Sequence, residues 1–161
     1  MDKVIVVDHE KCVGCGNCAL ACSLVHEGSF SPAKSRIIPI QIRRLTTNIP
    51  TLCMQCSDPL CMDVCPVKAI SRDDEAGAVV VDVDLCIGCR MCTVVCPVGA
   101  ISINYASGKA IKCDLCNGDP FCVRACGYEA LSYIAVEKDA MNKRRKGVEK
   151  ISEALTKIIE G

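Results

Sequence analysis

The chain has 161 residues and 16 of them are cysteine, but it has only two Phe, three Tyr and no Trp. Its 19 Lys and Arg balance its 19 Asp and Glu, which excludes a strongly basic protein that follows nucleic acid. So few aromatic residues also argue against base stacking on single strands. No run of about 20 apolar residues occurs, so no membrane span is predicted. An ordinary apolar core would be thin in one domain or two small lobes of this size, so something other than side-chain packing must organise the protein.

The cysteines fall into four groups of four along the chain. Group one is Cys12, Cys15, Cys18 and Cys22; group two is Cys53, Cys56, Cys61 and Cys65; group three is Cys86, Cys89, Cys92 and Cys96; group four is Cys113, Cys116, Cys122 and Cys126. Structural zinc usually takes two cysteine pairs that lie a dozen or more residues apart. A sequence of three closely spaced cysteines, followed after three further residues by a fourth, is instead typical of proteins that bind 4Fe–4S clusters. Four complete groups therefore predict four such clusters.

Disulfides are a further possibility for these cysteines, but they need an oxidising compartment. The N-terminal sequence Met1–Asp8 has neither the apolar stretch and cleavage site of a secretory signal nor a twin-arginine pair. We therefore expect a cytoplasmic protein whose thiols stay reduced.

Glycine and proline mark several of the cysteine groups. Gly14 and Gly88 occupy the third place of Cys-x-Gly-Cys, where a missing side chain lets the backbone pass close to a cluster with its amides free to bond sulfide. Pro66 and Pro97 follow the last cysteine of groups two and three, which in this type of run ligates the neighbouring cluster. A first helical position explains these prolines equally well, and the two explanations are compatible.

The stretch between groups one and two, residues 23–52, is the least regular part of the cysteine-bearing chain. Its segment Ser35–Arg44 alternates enough to predict a short strand, and Pro39 restricts that strand to the edge of a sheet. The stretch is either a surface loop that covers the clusters or a surface on which a partner docks.

The chain also contains an internal duplication. Groups one and three align without a gap at an offset of 74, together with the apolar segments Val4–Asp8 and Val79–Asp82 that lead into them. Groups two and four align at offsets of 60 to 61, and Asp-Pro recurs in both at Asp58 and Asp119. The repeating unit is therefore groups one–two and then three–four, with 23–52 as an extra stretch in the first copy.

Near the C-terminus the apolar residues recur at three- and four-residue steps. This period predicts an amphipathic helix within 140–159, with apolar positions at Val148, Ile151, Leu155, Ile158 and Ile159. The helix includes a basic run, Lys143–Lys146, which is either a solvated face or a surface that meets an acidic partner.

The two histidines, His9 and His26, are expected at the surface, since sixteen cysteines already complete four clusters. Because His26 closely follows Cys22, an iron ligand is the alternative for it. The sequence shows no Ser/His/Asp set, no paired carboxylates and no Gly-x-Gly-x-x-Gly, so no flavin, nicotinamide or phosphate site is predicted.

The stretch from Cys65 to Cys86, with its polar turn at Ser71–Gly77, resembles a bacterial two-cluster ferredoxin. In that family two short strands join the motifs, and the last cysteine of each motif crosses to the other cluster, so groups two and three would pair. By the duplication, Val4–Asp8 and the segment Ala130–Val136 should meet. Groups four and one would then close a second lobe around the first.

The whole cysteine framework, residues 12 to 126, resembles the four-cluster iron–sulfur subunits of dimethyl sulfoxide reductase, formate dehydrogenase and related complexes. It is also similar to the small soluble partners of tungsten enzymes of the aldehyde oxidoreductase type. The resemblance implies an α+β fold of two pseudo-symmetric ferredoxin-like lobes, one nested in the other. The outer lobe would be 1–22 and 97–137, the inner lobe 53–96, the insertion 23–52 and the C-terminal helix 138–161.

The same resemblance implies the ligands of each cluster. Cluster A would take Cys12, Cys15, Cys18 and Cys126; cluster B would take Cys53, Cys56, Cys61 and Cys96; cluster C would take Cys86, Cys89, Cys92 and Cys65; cluster D would take Cys113, Cys116, Cys122 and Cys22. Ser23 and Gly127 stand where a two-cluster ferredoxin has proline, which makes the turn geometry at clusters A and D less certain.

These features predict an electron-transfer protein that is not itself an enzyme. Single electrons would pass through four clusters to or from a larger catalytic subunit, expected to be a molybdenum or tungsten pterin enzyme such as an aldehyde oxidoreductase or a formate dehydrogenase. A flavoprotein or a ferredoxin is a further expected partner. A free polyferredoxin that diffuses between enzymes is the alternative, but the insertion and the C-terminal helix favour the subunit.

Four oxidised cores and sixteen thiolates bring the formal charge from zero to about −8, so lysines and arginines become counter-charges.

Overall fold

A computed structural model describes residues 3–42 and 47–136, with five separate positions beyond them (149, 152, 153, 156 and 157). Its strands are β1 (Lys3–Val7), β2 (Ile38–Ile42), β3 (Thr47–Thr51), β4 (Ile70–Asp73), β5 (Ala78–Val81), β6 (Ile101–Ile103), β7 (Ala110–Lys112) and β8 (Leu131–Ala135). Its helices are α1 (Asn17–Glu27), α2 (Leu60–Asp63), α3 (Met91–Val95) and α4 (Phe121–Arg124), and short 3-10 turns lie at Pro32–Lys34 and Leu115–Gly118. The fold is a small α+β arrangement of short strands and few helices.

The strands form four separate antiparallel pairs rather than one sheet. Three of these pairs are hairpins between successive strands: β2 with β3, β4 with β5, and β6 with β7. The fourth pair joins the two ends of the cysteine-bearing chain, because β1 lies against β8 with Val4 opposite Ile134 and Val6 opposite Ser132. Val4, Ile5 and Val6 are all buried, so β1 is covered on both faces, as its β-branched residues favour.

The hairpins β4–β5 and β6–β7 close through the same side-chain device. Asp73 Oδ1 accepts hydrogen bonds from the backbone amides of Glu75 and Ala76. Asn104 Oδ1 accepts them in the same way from the amides two and three residues further on. Such Asx turns let a short polar loop reverse the chain, and Gly77 and Gly108 then adopt the left-handed conformation that completes each turn.

The helices pack in two pairs, α1 against α4 and α2 against α3. Three of them are only four or five residues long, whereas α1 has eleven. α1 ends at Gly28, whose left-handed backbone points its amide at the carbonyl of Leu24, 2.9 Å away. None of the helices in the described part of the chain is long and apolar enough to cross a membrane.

Cysteines are members of the buried core rather than additions to it. The larger apolar cluster combines aliphatic side chains with cysteines: Ile5, Ala19, Cys22, Ile37, Leu52, Ala78, Cys113, Leu115, Cys122 and Leu131. A second one is built in the same way from Ala69, Ile70, Val79, Cys86, Cys92, Ile101 and Ala110. The thin aliphatic core expected from the composition is therefore centred on thiols.

The predicted edge strand in 35–44 is confirmed as β2, which pairs with β3 in a two-stranded sheet, so Pro39 interrupts no sheet interior. The insertion is more than an outer loop, since Ile37 is 2% exposed and packs in the larger core cluster. The predicted C-terminal helix over 138–161 lies, apart from the five separate positions, outside the described residues.

Candidate metal centres

The sixteen cysteines, all in described segments and none in a disulfide, gather into four sets drawn from different groups. Three of the sets line cavities. One cavity holds site A, with Cys12, Cys15, Cys18 and Cys126; a second holds site B, with Cys53, Cys56, Cys61 and Cys96; a third holds site C, with Cys65, Cys86, Cys89 and Cys92. Each cavity thus receives three cysteines of one group and the last cysteine of another.

The fourth set, site D, consists of Cys22, Cys113, Cys116 and Cys122. Three of its members are 6–8% exposed, and Cys122 has Cys113, Cys22 and Cys116 as electrostatic neighbours. The thiol chemistry of all four sets suits iron, since close cysteines in fours are the ligands of 4Fe–4S clusters.

The residue before the second cysteine has a left-handed backbone in every group. Glycine supplies this conformation in groups one and three, with φ of 73° at Gly14 and 71° at Gly88. A Cβ at Gly14 would lie 2.3 Å from Asn48 Oδ1, and one at Gly88 would lie 2.3 Å from the carbonyl oxygen of Gly108. The turn at Gly88 therefore needs glycine for space as well as for conformation, whereas at Gly14 the neighbouring atoms belong to side chains that can move.

Groups two and four place Gln55 and Leu115 at the same position, with φ of 49° and 62°. A non-glycine residue there costs roughly 1–2 kcal/mol, so its side chain has to compensate. Gln55 does so through hydrogen bonds, from its Nε2 to the Cys113 carbonyl at 2.9 Å and from the amide of Val79 to its Oε1 at 2.8 Å. Leu115 does so by complete burial in the larger core cluster.

The last cysteine of three groups accepts a hydrogen bond from the backbone amide four residues on. The donors to Cys65, Cys96 and Cys126 are the amides of Ala69, Ala100 and Ala130, with N···S distances of 3.2, 3.3 and 3.3 Å. In each case the residue before the alanine is left-handed and turns the amide back to the sulfur, namely Lys68, Gly99 and Glu129. Hydrogen bonds of this kind to cluster sulfurs set reduction potentials.

Cys22 departs from this pattern because α1 continues through it to Glu27. The amide four residues on is occupied within the helix, and Cys22 Sγ instead accepts from the amide of Arg36 at 3.3 Å. The insertion thus supplies the hydrogen bond that the local turn supplies elsewhere. It also covers site A, where Gln41 Nε2 donates to the carbonyl of Gly14 at 2.8 Å.

Burial keeps several of these thiols protonated in the absence of metal. It raises the pKa of Cys18 to about 11, reinforced by the neighbouring thiols of Cys12, Cys15 and Cys126. It raises the pKa of Cys113 to about 12 and shifts the pKa of Cys122 in the same direction. Because iron binds thiolate, loading of these sites must release protons.

The four sites follow one another in the order A, D, B, C. Packing of α1 against α4 brings sites A and D together, and packing of α2 against α3 joins B and C. Cys18 of site A lies close enough to Cys122 of site D to raise the pKa of its thiol. Cys53 of site B has the same effect on Cys113 of site D. At the two ends, Cys15 in site A and Cys89 in site C are exposed.

A polar network at site D was not predicted from the sequence. His26 Nε2 lies 3.4 Å from Cys116 Sγ and 3.6 Å from Asp114 Oδ1, and Arg36 pairs with the other oxygen of Asp114. The expectation that His26 is a surface residue is wrong, because its side chain is 11% exposed. The spacing of Cys22 and His26 could have indicated this position, because residues four apart share one face of a helix such as α1. His9 is only half-buried.

Comparison with known families shows which cofactor the chain binds. Residues 44–136 match the family described as 4Fe–4S dicluster domain, and residues 5–23 match a 4Fe–4S binding domain. The chain belongs to the 4Fe–4S dicluster family. Two matching domains and sixteen cysteines mean that this member of the 4Fe–4S dicluster family binds several 4Fe–4S clusters. Sixteen thiols are the number of ligands that four such clusters require.

Its relatives are named for electron transfer. The chain is 40% identical over 133 residues to the aliphatic sulfonate oxidoreductase, polyferredoxin-like subunit of Pyrococcus furiosus, covering 81% of this chain and 76% of that protein. It is 35% identical over 172 residues to the electron transport protein HydN of Escherichia coli, covering 91% and 97%. The dicluster chain is therefore a ferredoxin-type electron-transfer protein without catalysis of its own.

The fold recurs in a solved structure. The active site complex BamBC of benzoyl coenzyme A reductase with 1,5-dienoyl-CoA contains a chain that superposes with a TM-score of 0.51 at 22% identity, covering 97% of this chain and 98% of the other. At this identity the likeness concerns the fold alone.

Proposed function

We propose that the chain is an electron relay whose sites A, B, C and D each hold one 4Fe–4S cluster through the four cysteines named for that site. A bound cluster accepts and releases one electron without making or breaking a bond to substrate. The observation that carries the proposal is that three separate cavities are each lined by one complete set of four thiols. The burial and mutual proximity of the remaining four cysteines support the same role for site D.

The strand and helix pairs support two nested lobes. In the outer lobe (1–22 and 97–137), β1 pairs with β8 and α1 packs on α4, and sites A and D lie between them. In the inner lobe (53–96), β4 pairs with β5 and α2 packs on α3 around sites B and C. The order A, D, B, C gives the relay two ends, and the exposed Cys15 and Cys89 make both ends accessible to redox partners.

The relay serves a larger oxidoreductase, of which a molybdenum or tungsten pterin enzyme such as an aldehyde oxidoreductase or formate dehydrogenase is the proposed type. Support comes from the Pyrococcus furiosus relative, which is itself named as a subunit of an oxidoreductase. A flavoprotein or a ferredoxin at the other end of the relay would supply or remove electrons. A cytoplasmic location fits the need to keep sixteen thiols reduced during cluster loading.

A free-standing polyferredoxin is the second candidate function. It is favoured by the HydN relative, which is named only as an electron transport protein and matches this chain over nearly its whole length. Anaerobic purification of the untagged protein from its native cells separates the two. A lone monomer would rule out the stable subunit, whereas co-elution with a larger redox enzyme would rule out the diffusing shuttle.

Iron and acid-labile sulfide analysis tests the relay itself. Anaerobically purified protein should contain about sixteen of each per chain, and eight or fewer would reject four clusters.

The crossed ligand sets are tested by Cys126→Ser and Cys65→Ser, the last cysteines of groups four and two. We expect the first to perturb the cluster at site A and the second the cluster at site C. If Cys126→Ser leaves site A intact and alters only site D, the crossed assignment is wrong.

A further inference from the structure

A buried lysine lies between the two middle sites. Lys112 ends β7 directly before Cys113 and is 2% exposed. Its Nζ donates to the carbonyl oxygens of Val79 and Cys113, the latter at 2.9 Å. Among the described residues no carboxylate forms an ion pair with it. A buried ammonium is costly unless it is paired, and two carbonyl dipoles compensate it only in part.

The two carbonyl groups belong to different sites. Val79 lines the cavity of site B, and Cys113 is one of the four cysteines of site D. Gln55 bridges the same two residues, accepting from the Val79 amide and donating to the Cys113 carbonyl. Lys112 is therefore fixed at a closed junction between sites B and D, where water is excluded and a charge acts over a longer distance than at the surface.

The position of Lys112 places its charge beside cysteines of both sites. Its Nζ donates to the carbonyl of Cys113 in site D. Its second acceptor is the carbonyl of Val79, which lines the same cavity as Cys61 in site B. A positive charge at this junction favours any additional negative charge placed at either site.

We propose that the ammonium of Lys112 acts as a counter-cation for the clusters at sites B and D. Its positive charge raises the reduction potentials of both clusters. The inference rests on the proposed four-cluster relay. Reduction adds one electron, from a neighbouring cluster or a low-potential chemical reductant, and takes a cluster core from +2 to +1 with no bond broken and no proton transferred. Because Lys112 stabilises the extra negative charge, electrons are held in the middle of the relay rather than at its exposed ends.

The test is a reductive titration of the fully loaded protein with dithionite and redox mediators, followed by electron paramagnetic resonance. In Lys112→Met, two of the four clusters should become harder to reduce, with the ratio of reduced to oxidised cluster at a fixed potential falling about tenfold or more. Lys112→Arg, which keeps the charge, should retain most of the wild-type ratio. Loss of charge and loss of side-chain volume are separated in this way.

Lys109 offers a matched control, because its Nζ donates to the carbonyl of Cys86 in site C and its side chain is only half-buried. Lys109→Met should shift the reduction potential of at most one cluster. That shift should be smaller than either of the two shifts expected in Lys112→Met. Should Lys112→Met fail to retain iron, Lys112→Gln keeps a donor for the carbonyl groups without the charge, and its titration decides the question.

Unchanged potentials in a fully loaded Lys112→Met or Lys112→Gln protein would overturn the proposal, and so would equal shifts in the Met and Arg variants. A uniform shift of all four clusters would also contradict it. Failure of the four-cluster relay has a different signature, namely a wild-type iron content well below sixteen before any titration begins.

Discussion

The residue before the second cysteine of each group shows how the same backbone turn is stabilised in two ways. Gly14 and Gly88 leave space for a neighbouring chain segment, whereas Gln55 and Leu115 fill that space with a side chain that bonds or packs. The left-handed conformation is common to all four. It is therefore a requirement of the cysteine turn, and the identity of the residue reflects what lies beside that turn.

This difference predicts that Gly88→Ala removes a cluster while Gly28→Ala does not. Both glycines are left-handed, so alanine costs each about 1 kcal/mol of conformational free energy. A Cβ at Gly88 would also lie 2.3 Å from a backbone oxygen, whereas nothing lies within 4 Å of one at Gly28. Iron analysis should show about twelve atoms per chain in Gly88→Ala and about sixteen in Gly28→Ala. Full iron content in both variants would show that the turn at site C tolerates a side chain.

The cysteines could be predicted from spacing, but the polar residues around them could not. Four thiols in a fixed run have a single common use, so their positions carry the chemistry. Gln55 and Lys112 are ordinary polar residues whose importance comes from burial between sites B and D, and Asp114 matters because it binds Arg36 and lies beside His26. These positions depend on contacts across 24 to 78 residues of chain.

At the scale of elements, α1 differs from α2, α3 and α4. Helices α2, α3 and α4 end before or at the last cysteine of their groups, but α1 runs five residues past Cys22. Ser23 follows Cys22 where Pro66 and Pro97 follow their cysteines, and its amide is available to the helix. Its hydroxyl also accepts from the amide of Ser31 at 3.0 Å, which holds the start of the insertion. The serine that made the turn geometry at site D uncertain therefore has a structural role.

Proline at this position should be harmful in group one and tolerated in group four. Ser23→Pro removes an interior helical amide and clashes with the preceding turn, which should cost about 3 kcal/mol of unfolding free energy. Gly127→Pro occupies the equivalent position in a turn outside any helix, with nothing within 4 Å of an added Cβ. Denaturant midpoints of the two loaded variants give the comparison. Equal losses in both would mean that continuation of α1 is not what Ser23 provides.

The resemblance to two-cluster ferredoxins pointed to the pair of β4 with β5, and the duplication pointed to the pair of β1 with β8; both pairs are present. It did not point to the partner of β2, because Thr47–Thr51 has polar residues and Pro50 in place of an alternating pattern. Strand β3 exists because the insertion folds back over group one, a tertiary constraint that leaves no local signal. Repetition is therefore the better guide to this fold, and the unrepeated part is where sequence patterns say least.

For the whole molecule, charge and core depend on the same sixteen residues. As neutral thiols they leave the chain with zero net charge, but as iron ligands they bring it to about −8 with oxidised clusters. Cysteines are also five of the seventeen residues in the two larger core clusters. Removal of iron would thus leave the cysteines of sites A, B and C facing one another without the cluster that joins them, and the free energy of metal binding would be lost from folding.

We therefore expect anaerobic removal of iron by a chelator to unfold the chain rather than yield a compact apoprotein. Small-angle scattering should show the radius of gyration rising from roughly 15 Å towards about 40 Å, and the circular dichroism of the strands and helices should be lost together. Reconstitution with iron and sulfide under reducing conditions should restore both signals, which excludes damage by the chelator. A compact apoprotein whose β1 amides still exchange slowly would show that β1, β8 and the aliphatic side chains suffice for the fold. We expect the reverse, because Ile5 of β1 and Leu131 of β8 pack in the same core cluster as three cysteines of site D, namely Cys22, Cys113 and Cys122.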